Sequence, residues 1–136
     1  MKKITQLLLF CTFLAVGIIL DLAPIHVSAG IDKLYHFMGF SLITIFAIST
    51  FVSFLGRKSL NAFLLFLLGF GGIFAGISEF LQTFVAVRDC SVNDWVTNLC
   101  GIAVVVVFTF LISSKENTTA ELNEGQFDFK DLHVAL

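Results

Sequence analysis

Residues 59–78 read SLNAFLLFLLGFGGIFAGIS and contain no Asp, Glu, Lys or Arg. A helix rises about 1.5 Å per residue, so a segment of about 20 residues crosses the roughly 30 Å hydrocarbon core of a bilayer. Because no water reaches the backbone there, the segment must satisfy its own hydrogen bonds, as a helix does. The stretch therefore predicts a transmembrane helix.

Three further segments share this uncharged character: Ile4–Leu20, Leu34–Gly56 and Trp95–Ser114. The chain of 136 residues is 57% hydrophobic and 13% charged, whereas a soluble domain carries about 25% charged residues. The apolar runs lack the alternation of apolar and polar residues, with a period of two, that is typical of strands in a membrane β-barrel. Residues 1–114 are therefore predicted to form an all-α, integral membrane four-helix bundle. The predicted spans cover about residues 4–22, 34–55, 60–81 and 93–113.

Positive charges are distributed unevenly between the two ends of these spans. Only Lys33 and Arg88 belong to the loops that follow spans one and three. The other basic residues lie at the opposite ends: Lys2, Lys3, Arg57, Lys58, Lys115 and Lys130. Basic residues accumulate on the cytoplasmic side of membrane proteins. The chain is therefore predicted to lie in the cell membrane with both termini in the cytoplasm. The two polar loops then lie at the outer face.

The two ends of the chain need separate interpretation. MKK, LLLFCTFLAVGIIL and HVSAG also fit a cleaved signal peptide, which would leave three spans; Pro24 ends the first helix in either case. Residues 115–136 are polar without a sustained period, and we predict a mostly disordered cytoplasmic tail. The chain has no basic patch interleaved with aromatic residues, so no nucleic-acid partner is predicted. The bilayer is the partner that the composition predicts.

Polar residues collect at the predicted outer ends of three spans. They occur as pairs three or four residues apart, so each pair shares a helix face. The pairs are Asp32 with His36, Glu79 with Gln82, and Asp94 with Asn98. Because ionisable side chains in a membrane face the interior of a bundle, segments distant in sequence are predicted to build one polar site with Lys33 and Arg88.

Several of these residues also have a purely structural interpretation. Asp32 fits a helix N-cap, and SVND fits a capping box with Ser91 as the cap and Asp94 at the third position. Glu79 fits this interpretation less well, because the dipole at a helix C-terminus disfavours an anion; its structural alternative is an ion pair with Arg88 or Lys33.

Small residues predict where the helices approach one another. Gly72 and Gly76 have GxxxG spacing, which lets helices pack closely in lipid, and Gly101 is the expected matching surface on span four. These glycines are predicted to bring spans three and four together beneath Glu79 and Asp94.

The motifs DKLYHFMGF, SEFLQTF and VRDCSVNDWVTNLCG resemble the VanZ-like family of small bacterial membrane proteins. The family pattern is roughly D-K-x-x-H-F, then E-x-x-Q, then R, then D-x-x-x-N-x-x-G. The matching residues are Asp32, Lys33, His36, Phe37, Glu79, Gln82, Arg88, Asp94, Asn98 and Gly101. The family's proline before the arginine is replaced here by Ala86 or Val87, and the tail lies outside the resemblance. The resemblance implies a helical bundle in the cell membrane and a link to teicoplanin resistance.

The residues and the resemblance together predict a cell-envelope protein that acts on or binds a lipid or lipid-linked cell-wall component. As an enzyme, it would use Glu79 and His36 as acid and base, with Asp32 orienting the imidazole. Lys33 and Arg88 would hold an anionic phosphate or carboxylate. The remaining predicted binding residues are Gln82, Asp94 and Asn98.

Two alternatives stay open at this point. The same residues could bind a head group, a glycopeptide or a membrane partner without catalysis, or could only hold the helices together. Asp32, His36, Glu79 and Asp94 also have the chemistry of a divalent-metal site, but no metal-binding spacing such as HExxH is present, and we predict no metal. The sequence identifies no cofactor.

Overall fold

A computed structural model describes residues 2–23, 28–85 and 90–134 of the chain. Within these ranges it contains four α-helices and no strand: α1 is Lys2–Asp21, α2 is Ala29–Leu55, α3 is Leu60–Gln82 and α4 is Val92–Val134. The all-α class and the four helices are therefore confirmed. The expected helix stop at Pro24 lies outside the described residues.

All four helices are long and apolar enough to cross a membrane, which confirms the multi-pass prediction. The apolar segments are Lys3–Leu20, Gly30–Leu55, Leu60–Gln82 and Val92–Glu116. Many of their large side chains are exposed, among them Leu65 at 72% and Ile73 at 64%. Exposed apolar surface of this extent is stable in lipid and not in water. The bilayer is therefore the environment that this surface fits.

Helix α1 packs along α2 through contacts spread over its length. The rings of Phe13 and Phe46 stack with centroids 4.3 Å apart. Near the N-terminal end of α1, the Gln6 amide donates to the Ser49 hydroxyl at 3.3 Å. A Cβ at Gly17 would lie 3.0 Å from Ile43 Cδ1. Small residues and interhelical polar bonds thus join α1 to α2, as is usual in membranes.

Helices α3 and α4 meet at the small-residue face of α3, as the GxxxG spacing predicts. A Cβ at Gly72 would lie 3.1 Å from Leu99, and one at Gly76 would lie 3.5 Å from Trp95 Nε1. The same indole N–H donates to the Gly72 carbonyl at 3.1 Å. Among the described residues, the buried apolar core consists of Phe40, Ile48, Leu60, Leu64, Ala75, Ile102 and Val106.

The prediction of a mostly disordered tail is wrong in this structure, because α4 continues through the polar segment to Val134. Residues 115–124 are rich in helix formers such as Lys115, Glu116 and Ala120, and they contain no proline. Extending an existing helix also avoids the cost of nucleating a new one.

The chain divides into two compact units, Met1–Val106 and Val107–Leu136.

Candidate functional site

Three helices of the first unit bring polar side chains to one end of the bundle. His36 lies in the second turn of α2, Glu79 in the last turn of α3 and Asn98 in the second turn of α4. They are nearly inaccessible, with 5%, 2% and 0% of their surfaces exposed. The predicted convergence of segments distant in sequence is therefore present for these three residues.

Asn98 connects the other two side chains. Its amide nitrogen donates to Glu79 Oε1 at 2.9 Å, and its carbonyl oxygen lies 3.2 Å from His36 Nδ1. Because that oxygen can only accept, the imidazole donates from Nδ1. In a neutral ring the lone pair is then on Nε2, the nitrogen that faces Asp32. The network fixes both the orientation and the tautomer of His36.

Two carboxylates flank the imidazole. Glu79 Oε1 lies 3.6 Å from Nδ1, and Asp32 Oδ2 lies 3.8 Å from Nε2. Both distances suit ion pairing with a charged ring, but 3.8 Å is too long for a hydrogen bond. Asn98 forms a hydrogen bond that orients His36, a role that was expected for Asp32. Asp32 is instead placed to stabilise a proton on Nε2.

Lys33 and Asp94 form the outer part of the cluster. The ammonium Nζ lies 3.2 Å from Asp94 Oδ1, with 45% of the Lys33 side chain and 11% of the Asp94 side chain exposed. An ammonium has three N–H donors, and Asp94 takes one of them. Asp94 thus positions Lys33, whose side chain remains partly exposed beside it.

The capping predictions have opposite outcomes. Asp32 is not an N-cap, because α2 begins at Ala29 with Ser28 in the cap position; Asp32 lies in the first turn, where the helix dipole favours a carboxylate. At α4 the capping box is half formed, since the Asp94 N–H donates to the Ser91 hydroxyl at 3.3 Å. Asp94 therefore serves both the helix start and the Lys33 ion pair.

Gln82 and Arg88 are the other two predicted site residues. Gln82 is 1% exposed at the end of α3, so it is buried as expected for a polar residue inside a bundle. Arg88 lies outside the described residues. Because α3 ends at Gln82, Glu79 lies in the final turn, and the deeper position it would have in a longer helix is not observed.

Gly101 determines how closely α2 and α4 approach. A Cβ at this position would lie 2.6 Å from the Phe37 carbonyl and 3.1 Å from Ser41 Oγ. The Ser41 hydroxyl bridges the helices, with its oxygen 2.7 Å from the Phe37 carbonyl and 3.2 Å from the Gly101 carbonyl. Gly101 was expected to face α3, but it faces α2. Because Asn98 lies one turn away on α4, this contact holds Asn98 beside His36.

An apolar cleft begins beside the polar cluster. Its volume is about 460 Å³, and residues of α1, α2 and α3 line it. Most of the lining is apolar, including Ile18, Phe40 and Phe74, while Asp32, His36 and Ser78 provide polar groups. Since α2 continues from Asp32 and His36 to Phe40 and Ile43, the polar groups lie at one end of the cleft. A concave apolar site with few polar groups suits an amphiphile.

Three of the four residues that have metal-ligand chemistry lie close together. Single ligand atoms of Asp32, His36 and Asp94 lie within 4.8 Å of one another, and one imidazole with two carboxylates suits a divalent transition metal. However, Lys33 already neutralises Asp94. A cation here would have to displace the ammonium, so the described geometry fits acid–base or binding chemistry better than a metal centre.

The cleft and Ser78 were not predicted from the sequence. The cleft depends on how α1 lies against α2 and α3, which helix periodicity does not determine. Ser78 directly precedes Glu79 in SEF, and this adjacency was the available signal.

A search of protein-family models, curated proteins and solved structures gives no match to the chain.

Proposed function

We propose that this chain is a VanZ-like protein of the cell envelope that binds a lipid or lipid-linked cell-wall component and acts on its polar head. The observation that carries the proposal is the position of the buried His36–Asn98–Glu79 network at one end of an apolar cleft. An amphiphile placed in this cleft has its chain against Ile18, Phe40 and Phe74 and its head at Asp32 and His36.

The proposed chemistry is proton transfer at His36. Nε2 accepts the proton of a ligand hydroxyl, while Nδ1–H stays bonded to Asn98. The resulting imidazolium lies between Asp32 and Glu79, at 3.8 and 3.6 Å. Carboxylates at these distances stabilise the charge that develops during base catalysis. The ligand O–H bond breaks as the Nε2–H bond forms, and the imidazolium later gives this proton to the leaving group, which regenerates neutral His36.

Lys33 is the described residue that fits an anionic group on the ligand. Its side chain is 45% exposed beside Asp94, and an ammonium binds a phosphate or carboxylate through charge-assisted hydrogen bonds. Arg88 remains part of the proposal as a second anion-binding residue. Through the family resemblance, the proposal extends to resistance to the glycopeptide teicoplanin.

The alternative function is binding without chemistry. Asn98 has no exposed surface and connects side chains of α2 and α3, which is also what an interhelical lock would do. In that case the rim would bind a head group, a glycopeptide or a membrane partner, and the buried network would only hold the helices in place.

The test is the lipid and cell-wall precursor composition of cells that have or lack the protein. We expect one head-group species to change with the protein and to return to the protein-free level in the His36→Asn variant. Asparagine retains an amide donor near the position of Nδ1 but has no group that takes the proton. An unchanged composition, at normal membrane abundance of the protein, would contradict catalysis.

A matched pair of variants tests whether the cleft takes part. A Cβ at Gly39 or Gly69 meets no atom within 4 Å, so a side chain can begin at either position without a clash at its Cβ. Gly39 lines the cleft and Gly69 does not. Gly39→Leu is expected to abolish the compositional change, whereas Gly69→Leu retains it. If both variants retain the compositional change, or both lose it, the cleft does not bind the ligand.

Cys90 tests the proposed orientation. Its side chain is exposed as a free thiol between α3 and α4. Since the positive-inside bias assigns this loop to the outer face, a membrane-impermeant maleimide is expected to label Cys90 in intact cells. As a control, Cys90→Ser should lose the label. Labelling only after the cells are permeabilised would reverse the orientation and remove the site from the outer face.

A further inference from the structure

A second apolar cavity continues from the cleft along the bundle. Its volume is about 370 Å³, and it is lined by residues of α1, α2 and α3 and by Ile102 of α4. Phe40, Ile43 and Phe74 line both cavities. The second cavity extends on α2 to Phe51 and on α1 to Leu7. The two cavities therefore adjoin, and together they form what we call the long groove.

The long groove is deeper than one leaflet of a bilayer. From Asp32 to Phe51 on α2, a helix rise of 1.5 Å per residue gives a length of about 28 Å. Half of a hydrocarbon core of roughly 30 Å is about 15 Å. An acyl chain of an ordinary lipid ends near the midplane, so it would fill the first cavity and leave most of the second without contact. A chain that fills both must continue into the opposite leaflet.

We infer that the ligand of the proposed site carries a single polyisoprenoid chain, which lies in the long groove with its head at Asp32 and His36. Polyisoprenoids are membrane amphiphiles whose single chain exceeds one leaflet. This inference rests on the proposed function, because the polar end of the groove defines where the head binds. It adds that chain length, and not only the head group, determines which ligand binds.

The energetic effect of the longer chain is expected to be moderate. The chain moves from lipid to protein, so no apolar surface leaves water, and the gain comes from packing against a preformed surface. Phe51 and Phe63, stacked with centroids 3.9 Å apart, form part of this surface. A tenfold preference corresponds to about 1.4 kcal/mol, which a few additional side-chain contacts can provide.

The test compares three phosphate monoesters that differ in their chains: undecaprenyl phosphate, farnesyl phosphate and dioleoyl phosphatidic acid. Purified full-length protein in nanodiscs is titrated with each, and bound ligand is counted by native mass spectrometry. We expect undecaprenyl phosphate to bind at least about tenfold more tightly than either of the others. Equal binding of undecaprenyl and farnesyl phosphates, or of undecaprenyl phosphate and phosphatidic acid, would overturn the inference and leave the head-group site intact.

A second matched pair localises the effect. Ala47 lines the second cavity, whereas Ala62 is exposed on α3 and lines neither. Ala47→Phe is expected to abolish the preference for the long chain without weakening the binding of farnesyl phosphate. Ala62→Phe should retain the preference. Equal loss in both variants would overturn the inference. If none of the three phosphates binds above the level of empty nanodiscs, both the proposed function and the inference about the chain are wrong.

Discussion

Gly101→Ala is expected to cause the largest loss of stability of any small substitution in the bundle. The new Cβ would lie 2.6 Å from the Phe37 carbonyl, a backbone atom, and 3.1 Å from Ser41 Oγ. Neither α2 nor α4 can relieve this overlap by changing a rotamer, so the helices must separate. Overpacking of this kind typically costs about 1–3 kcal/mol, and the contact with backbone suggests the upper part of that range.

Gly69→Ala is the matched control for this prediction. A Cβ there meets nothing within 4 Å, and alanine is the better helix former by about 1 kcal/mol. Equilibrium unfolding in mixed SDS micelles should therefore show a clear loss for Gly101→Ala and no loss for Gly69→Ala. Similar unfolding curves for the two variants would contradict the close approach of α2 and α4.

Asn98→Leu is expected to have the second large effect. Leucine has a similar volume but removes both the donor to Glu79 and the acceptor for His36. Hydrogen bonds between membrane helices contribute about 0.6–2 kcal/mol each, and the buried Glu79 carboxylate loses a donor as well. The expected sum is about 3 kcal/mol, and we also expect the loss of ligand binding.

Thr97→Val provides the control on the neighbouring residue. The Thr97 hydroxyl donates to the Asn93 carbonyl within α4 at 2.8 Å, so its removal breaks no interhelical bond. Unfolding in mixed SDS micelles should show an effect below about 1 kcal/mol for Thr97→Val. If Asn98→Leu is as stable as Thr97→Val, the polar bridge between the helices does not exist in the membrane-embedded protein.

The helices could be predicted from the sequence because the bilayer imposes both their length and their hydrogen bonding. The observed end of α2, at Leu55, coincides with the predicted one. The polar pairs could be predicted for the same reason, since residues such as Glu79 and Asn98 must face away from lipid. The predictions of the helices and of the polar pairs both depend on constraints that act on each helix separately.

Other features depend on how the helices are rotated against one another. Gly101 was assigned to the wrong neighbour because a small residue shows that a close approach occurs but not with which helix. Asp32 was expected to orient His36 because the two lie four residues apart, but the hydrogen bond comes from Asn98 on another helix. The cleft has no sequence signal because its wall combines three helices.

The central claim is that the buried polar network is a ligand site and not only a lock between helices. Glu79→Gln separates the two roles, because glutamine keeps an oxygen that can accept from Asn98 while it removes the charge beside His36. The most direct test measures unfolding of the purified variant and, in cells, the head-group change that depends on the protein. We predict an unfolding midpoint close to that of the unsubstituted protein and loss of the head-group change, because the imidazolium no longer has the Glu79 charge beside it. A normal head-group change, or a change lost only because the variant does not fold, would contradict the claim and identify the network as a structural lock.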